Sequence, residues 1–193
     1  KRGYSLSQRY ASSASFKGNG VRRTMELIIV TGLSGAGKLQ AVKALEDIGY
    51  YCVDNMPPQL IPAFAEICRQ SGGEIEKVAL VVDMRSGTLF KQLFGALDEI
   101  SGKNIGYEIL FLEASNEVLI SRYKQTRRSH PLSTDGGVTE GISKERELIA
   151  DVRARANYII DTSSLTPLQL KEEVNKIFLN GGKYKSMVIK IES

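Results

Sequence analysis

The sequence predicts a three-layer α/β domain in which a mainly parallel sheet is covered by helices on both faces. From Met25 onward, short apolar runs alternate with longer segments whose apolar residues recur with helical spacing. That order is typical of parallel strands joined by helices. Apolar residues make up 42% of the 193 positions and charged residues 25%. This composition supplies a core for one domain and excludes a disordered or fibrous chain.

Five apolar runs are predicted strands. Each is short, rich in Val, Ile, Leu or Tyr, and followed by turn-forming or polar residues, as expected of strands that are buried on both faces. In chain order they are Leu27 to Thr31, Tyr50 to Val53, Val78 to Asp83, Tyr107 to Leu112 and Tyr158 to Asp161.

Six segments are predicted helices. The first, residues 39–48, places its alanine and leucine side chains on one face and ends before Gly49, a residue type favoured just beyond a helix C-terminus. Pro57 and Pro58 can open the second, which extends to about residue 70, and Thr88 can cap the third. The remaining three are Asn116 to Tyr123, Thr139 to Arg155 and Pro167 to Leu179.

The domain is expected to span residues 25–180, between two segments of different character. Residues 1–24 carry six basic side chains and no acidic one. They predict a mobile basic arm, with vector-derived or upstream sequence and a transit peptide as alternatives. Residues 181–193 alternate apolar and polar positions as a strand does. We interpret them as the start of a truncated C-terminal domain, or as an edge strand of the same sheet.

The charge balance gives little support to nucleic-acid binding by the domain itself. The formal net charge is +4, but residues 25–193 carry 20 basic and 22 acidic side chains. Two cysteines and the single histidine, His130, make neither a disulfide framework nor a centre that needs two imidazoles. No apolar run approaches the roughly 20 residues that span a bilayer. We therefore expect a cytoplasmic protein with no membrane partner.

A phosphate-binding motif follows the first predicted strand and precedes the first predicted helix, the context that a P-loop, or Walker A motif, requires. It matches GxxxxGK with residues Gly32, Leu33, Ser34, Gly35, Ala36, Gly37 and Lys38. The glycines let successive backbone N–H groups converge on an anion, and the helix adds its positive N-terminal end. Lys38 would bridge the β- and γ-phosphates. The alternative is a glycine-rich turn with a chance lysine.

The residue after the lysine departs from the motif. A Ser or Thr hydroxyl normally coordinates magnesium at this position, and here it is Leu39, whose side chain offers the ion no lone pair. We expect nucleotide to bind through Lys38 and the loop amides, with Leu39 at the edge of the site, and metal-assisted hydrolysis to be weakened.

Four acidic residues lie at the ends of predicted strands and are candidates to hold magnesium through water. They are Asp54, Asp83, Glu113 and Asp161. Because parallel strands end at the same edge of the sheet, these carboxylates should gather near the phosphate loop. Asp83 is the first candidate because it ends a run of four apolar residues, and Asp54 is the second. Each could instead cap the helix or turn that follows it.

A basic segment, residues 122–131, follows the fourth predicted strand and leads into a glycine-rich stretch. It could close over a polyphosphate as a lid that brings Arg127 and Arg128 to the transferred group. It could equally contact RNA phosphates, or form a solvated surface.

Several longer strings carry a family resemblance. They are the phosphate loop, Ala44 to Pro57 (ALEDIGYYCVDNMP), Asp83 to Ser86 (DMRS), Arg122-Tyr123 and Thr126 to Leu132 (TRRSHPL). From Met25 to Ser193 the chain resembles the bacterial RapZ (YvcJ) family of P-loop nucleotide-binding proteins. The resemblance implies a kinase-like P-loop NTPase domain that binds ATP and GTP and hydrolyses them slowly.

The resemblance also implies roles beyond the phosphate loop. Asp83, Met84, Arg85 and Ser86 would contribute to guanine-nucleotide binding. Family members continue into a C-terminal domain, which some use to bind an amino-sugar phosphate and regulatory RNA. They ordinarily have Ser where this chain has Leu39, so the departure places hydrolysis in doubt more than binding.

The sequence therefore predicts a domain that binds purine nucleoside triphosphates, ATP or GTP, with Mg²⁺. Lys38, Asp83, Arg127 and Arg128 are the candidate catalytic residues for in-line attack of water on the γ-phosphate. A small-molecule kinase and a non-hydrolysing, nucleotide-dependent regulatory module are the alternatives. RNA binding by the full-length protein and a homo-oligomer are left open.

Overall fold

The structure is a computed structural model that describes residues 25–71, 73–83, 87–127, 129–133 and 137–179. The predicted arm, residues 1–24, and the predicted strand within residues 181–193 lie outside the described residues. The proposed boundaries at residues 25 and 180 therefore stay predictions. None of the described helices is long and apolar enough to cross a bilayer.

Five parallel strands form one sheet in the order β2-β3-β1-β4-β5. The strands are β1 Glu26–Gly32, β2 Tyr51–Val53, β3 Lys77–Val81, β4 Glu108–Glu113 and β5 Tyr158–Asp161. The first strand in the chain is thus the central one, with all but its first residue buried. All five predicted strands are confirmed, and the predicted three-layer α/β class is confirmed with them.

Seven α-helices and one 3₁₀ turn connect or follow the strands within the described residues. They are α1 Lys38–Asp47, the 3₁₀ turn Pro58–Leu60, α2 Ile61–Gln70, α3 Gly87–Gly102, α4 Asn116–Thr126, α5 Gly137–Leu148, α6 Ala150–Arg155 and α7 Pro167–Leu179. Helix α1 packs against α7, and α2 packs against α3. The apolar side chains of these helices and of both sheet faces make one core.

Three predicted elements differ from the structure. The helix predicted from Asn116 to Tyr123 continues to Thr126. The predicted helix from Thr139 to Arg155 is two helices, interrupted at Ile149. Hydrogen bonding continues through the interruption, since Ile149 N donates to Glu145 O and Arg153 N donates to Ile149 O, both at 3.0 Å. Ile149 is buried in the core, so the chain bends there without losing its backbone partners. The third strand ends at Val81, two residues before the predicted end at Asp83.

Candidate functional site

The phosphate loop begins where β1 meets β4. Gly32 pairs with Leu112 and has φ 137°, a conformation that favours glycine. A Cβ atom at Gly32 would lie 2.6 Å from the backbone nitrogen of Leu112. Leu33 N then donates to Leu112 O at 3.0 Å, and the Leu33 side chain is fully buried. The first glycine of the motif is therefore required by close packing of the loop on β4.

The loop turns tightly into α1. Gly35 and Gly37 have φ 86° and 97°, and Ala36 N donates to Leu33 O at 3.0 Å. Gly37 is the N-cap of α1, and no described side chain caps the first turn of that helix. The N-terminus of α1 therefore offers uncapped amides and a positive end, as anion-binding loops do.

The motif lysine lies folded across its own loop. Lys38 Nζ donates to Gly32 O at 2.9 Å and to Leu33 O at 3.1 Å. The same nitrogen lies 3.8 Å from Asp83 Oδ1. Val82 N donates to Val30 O at 3.0 Å, which places the end of β3 beside β1. The structure thus brings together the predicted phosphate-binding lysine and the favoured candidate for magnesium.

The other three candidate carboxylates have partners of their own. Asp54 follows β2, on the far side of β3 from the loop, is exposed, and accepts a hydrogen bond from Asn55 N at 2.8 Å. Glu113 pairs with Arg153 at 2.6 and 2.9 Å, and this hydrogen bonding raises the pKa of Arg153. Asp161 accepts hydrogen bonds from both Ser163 N and Ser163 Oγ. Asp161 thus caps the turn that follows it, as the alternative predicts, whereas Glu113 forms an ion pair with a residue of α6.

The side of the loop that faces β4 and β5 is held by a network of hydrogen bonds around Thr162, whose side chain is buried. Thr162 Oγ1 lies 2.9 Å from Ala36 O and accepts a hydrogen bond from Arg122 Nη1 at 3.1 Å. Arg122 also donates to Gly35 O at 2.9 Å and to Thr162 O at 2.7 Å. Burial lowers the pKa of Arg122 from its ordinary value, and the charge of Asp161 opposes that shift. These contacts therefore engage two carbonyls of the loop, those of Gly35 and Ala36.

A second buried cluster holds the third residue of the motif. Ser34 N donates to Glu145 Oε2 at 2.9 Å, and Ser34 Oγ donates to Glu145 Oε1 at 2.6 Å. His130 Nε2 lies 3.2 Å from Glu145 Oε2. Glu145 is 1% exposed and His130 2% exposed. The carboxylate on α5 therefore joins the phosphate loop to the segment that follows α4.

The basic segment, residues 122–131, is exposed to solvent only in part. Arg122 and His130 are turned inward, whereas Arg127, at the C-cap of α4, is exposed with φ 52°. Arg128 and the stretch from Met84 to Ser86 lie outside the described residues, so their predicted roles are not tested. Leu39 is 60% exposed on the first turn of α1.

Thr162 and Glu145 were not predicted from the sequence as site residues, and Arg122 was named only in the basic segment and in the strings that carry the family resemblance. Glu145 did carry a signal, because it lies three residues after Ile142 and four before Ile149, at helical spacing from two apolar residues. An acid on the buried face of a helix requires partners. Thr162, directly after β5, carried no comparable signal.

The described residues include no cluster of three or more His, Cys, Asp or Glu side chains able to hold a metal ion. A magnesium site would therefore depend on Asp83, water and the ligand itself, since Leu39 contributes no oxygen. The loop amides, Lys38 and Asp83 together suit a polyphosphate better than a metal ion held by protein ligands alone.

Comparison with known proteins confirms the resemblance. Residues 25–182 match the family model described as the RapZ-like N-terminal domain. The chain is 56% identical over 169 residues to a "Nucleotide-binding protein" of Acetivibrio thermocellus, covering 88% of this chain and 58% of that protein. It is 59% identical over 152 residues to a "Nucleotide-binding protein" of Clostridium beijerinckii, covering 79% and 52%. The chain thus spans little more than half the length of these curated relatives.

Solved structures with the same fold include two small-molecule kinases. Shikimate kinase from Acinetobacter baumannii in complex with shikimate gives a TM-score of 0.56 at 18% identity, covering 84% of this chain and 97% of that one. A gluconokinase from Sinorhizobium meliloti gives 0.51 at 19% identity, covering 83% and 95%. At this identity the likeness shows a P-loop kinase-like fold and nothing about substrate. Because the family model matches residues 25–182, which are most of this chain, the chain belongs to the RapZ-like N-terminal domain family.

Proposed function

We propose that this domain binds a purine nucleoside triphosphate, ATP or GTP, at residues 32–38 and hydrolyses it slowly. The observation that carries the proposal is the loop geometry: uncapped amides at the start of α1, with two loop carbonyls tied back by Arg122 and Thr162. The printed name of the curated relatives, nucleotide-binding protein, supports it.

On binding, oxygens of the triphosphate would replace the two loop carbonyls that now accept hydrogen bonds from Lys38. Lys38 Nζ donates to two carbonyls of its own loop, and both are weaker partners than an anionic phosphate oxygen. The amides of Gly35 to Lys38 would hold the β-phosphate while Lys38 bridges toward the γ-phosphate. Charge that develops on the γ-phosphate during attack by water would then face one fixed ammonium group.

Magnesium would be held by Asp83 through water, with Asp54 as the less favoured candidate. When bound, the ion would neutralise charge on the β- and γ-phosphates. Asp83 fits this role because its carboxylate already lies 3.8 Å from Lys38 Nζ. Leu39 removes the hydroxyl ligand that the motif normally supplies, so we expect slow turnover. Arg127 and Arg128 would act from the segment after α4, and Asp83 to Ser86 would contribute to guanine recognition.

A regulatory module that binds nucleotide without turning it over is the second candidate. Exposed Leu39 in the magnesium-ligand position favours it. Such a module would pass its nucleotide state to the remainder of the longer protein that the relatives represent. A C-terminal domain, an RNA partner and a homo-oligomer stay predictions of the family resemblance and the sequence.

The test is calorimetric titration of the chain with ATP and with GTP, in the presence and absence of magnesium. Lys38→Ala should weaken triphosphate binding at least about tenfold, because it removes the cation that faces the γ-phosphate. Lys171→Ala is the matched control, since its ammonium pairs with Asp47 on the surface at 2.6 Å, and its affinity should stay within twofold. Equal affinity of Lys38→Ala and the parent chain would contradict the proposal.

A further inference from the structure

The side chain of Glu145 links two parts of the chain that lie far apart in the sequence, Ser34 and His130. Its carboxylate accepts two hydrogen bonds from Ser34 in the phosphate loop, 111 residues earlier, and faces His130 Nε2 at 3.2 Å. Both carboxylate oxygens are therefore occupied by donors from elements that lie far apart in the sequence. Moving either element requires breaking hydrogen bonds to a buried charge, which is costly.

The backbone around His130 settles which ring nitrogen carries the proton. Leu132 N donates to His130 Nδ1 at 3.1 Å, so Nδ1 is an acceptor. The proton of the neutral ring therefore lies on Nε2 and is donated to Glu145. Ser133 N and Ser133 Oγ both donate to His130 O, at 2.9 and 2.8 Å. The turn at residues 129–133 is thus organised around this one imidazole and its carbonyl.

Packing leaves His130 little room to move alone. Its ring lies 5.1 Å, centroid to centroid, from that of Tyr123 on α4. A Cβ atom built on Gly141, in α5, would meet His130 Nδ1 at 2.5 Å and Cγ at 2.8 Å. Helix α5 therefore approaches the ring so closely that only glycine fits at this position. Displacement of the turn would move the ring, and with it the donor to Glu145.

We propose that His130 and Glu145 are positioning residues that couple the turn at residues 129–133 to the phosphate loop. The coupling rests on the proposed function, because its consequence is a change in triphosphate affinity. Ser34 precedes the amides that would hold the β-phosphate, so releasing its N–H from Glu145 loosens the loop at its entry. By linkage, a ligand that orders the loop also orders the turn.

Two substitutions can separate the effect of the Glu145 charge from the effect of its hydrogen bonds. In Glu145→Gln, the amide oxygen can accept from Ser34 N and His130 Nε2, while the amide nitrogen donates to Ser34 Oγ after rotation of the hydroxyl. Glu145→Gln therefore keeps the contacts and removes an anion near the phosphates. Glu145→Ala removes all three contacts. A positioning role predicts that Glu145→Gln keeps its triphosphate affinity within about threefold of the parent chain, or binds more tightly. It predicts that the affinity of Glu145→Ala falls at least tenfold.

The sharpest test changes a residue that has no described contact with the phosphate loop. Gly141→Ala places a methyl group against His130, and Gly95→Ala, inside α3 with no atom within 4 Å of the added methyl, is the matched control. Hydrogen–deuterium exchange of the unliganded variants reports the loop directly, whether or not nucleotide binds. We expect Gly141→Ala to speed exchange at the Ser34 amide and in residues 129–133, with no change there for Gly95→Ala.

The two proposals fail in different ways. Unchanged exchange at Ser34 in folded Gly141→Ala and Glu145→Ala overturns the coupling, even where triphosphate binds. Faster exchange at Ser34 without triphosphate binding by the parent chain supports the coupling within the fold and overturns the proposed function. Should Gly141→Ala fail to fold, Glu145→Ala and Glu145→Gln give the same comparison. Equal loss of affinity in those two variants would overturn positioning in favour of a role for the charge.

Discussion

The two sides of the phosphate loop are built differently. Toward β4 and β5, the loop is tied by hydrogen bonds to Arg122, Thr162 and Glu145, of which those of Thr162 and Glu145 are buried and that of Arg122 to Gly35 O is exposed. Toward β3, Lys38 Nζ lies 3.8 Å from Asp83 Oδ1. One side therefore fixes where the loop lies, and the other carries the groups proposed for chemistry.

This difference predicts that substitutions will separate into two classes. Loss of a buried hydrogen bond on the β4–β5 side leaves a polar group without its partner, at a cost of about 1–3 kcal/mol to folding. Changes to Leu39, whose side chain is 60% exposed, should instead affect nucleotide chemistry with little effect on stability. Three predictions test this separation.

The largest effect is expected for Gly32→Ala, where the loop leaves β1. The added methyl group would overlap the backbone of Leu112 in β4, at a φ of 137° that L-residues rarely adopt. Strain and overlap together should lower the free energy of unfolding by about 4 kcal/mol or more, measured by urea denaturation. Triphosphate binding should be lost with it.

Gly106→Ala serves as the control for that change. Gly106 precedes β4 and has no heavy atom within 4 Å of an added methyl group. The free energy of unfolding of Gly106→Ala should stay within about 0.5 kcal/mol of that of the parent chain, as is usual for surface substitutions that disturb no buried contact. If Gly32→Ala were as stable as Gly106→Ala, the close approach of the loop to β4 would not be what fixes the loop.

The chemical side of the site was accessible from sequence because its signals are local. Strand, glycine loop, lysine and amphipathic helix follow one another between Glu26 and Asp47, so spacing alone predicted the element order and the anion-binding loop. Asp83 was predicted to lie near Lys38 because parallel strands share an edge, and the structure places the two together. The fold class followed from the same alternation of short apolar runs and helical segments.

The supporting side could not be derived in the same way, because its residues come from far along the chain. Thr162 contacts Ala36 across 126 positions, and Glu145 contacts Ser34 across 111. Arg122 lies in a run of basic residues, for which a solvated surface was one of the alternatives, yet its guanidinium donates to Gly35 O in the loop and to Thr162 O after β5. Such contacts depend on how helices pack on the sheet, which periodicity does not specify.

An intermediate effect is expected for Thr162→Val, which keeps the shape of the side chain and removes its hydroxyl. Ala36 O and Arg122 would each lose a partner in a buried site. The free energy of unfolding should fall by about 2 kcal/mol in urea denaturation. Triphosphate affinity should fall by a smaller factor than in Lys38→Ala, because the anion-binding amides themselves are unchanged.

Thr126→Val on the surface of α4 is the comparison for Thr162→Val. The hydroxyl of Thr126 bonds only within its own helix, to Arg122 O at 3.0 Å and Tyr123 O at 3.3 Å. Because these carbonyls keep their place in the helix, the loss should stay below about 0.5 kcal/mol. Equal destabilisation by the two substitutions would mean that burial of the Thr162 hydroxyl contributes nothing specific to the loop.

The smallest effect on folding, confined to chemistry, is expected for Leu39→Ser. The leucine side chain is 60% exposed, so its removal should leave the free energy of unfolding within about 0.5 kcal/mol of the parent chain. The new hydroxyl supplies the magnesium ligand of the motif. Release of phosphate from ATP or GTP should rise at least about tenfold in a steady-state assay with magnesium, while triphosphate affinity measured without magnesium changes little.

Leu168→Ser provides the matched control, because Leu168 is 65% exposed at the start of α7 and the chemical change is identical. It should leave phosphate release unchanged. An equal rate in Leu39→Ser and Leu168→Ser would show that the missing hydroxyl does not limit turnover. The limit would then lie with the groups facing the γ-phosphate, and the regulatory module would become the better account of a loop that is held by hydrogen bonds toward β4 and β5 and lacks the hydroxyl that normally follows the motif lysine.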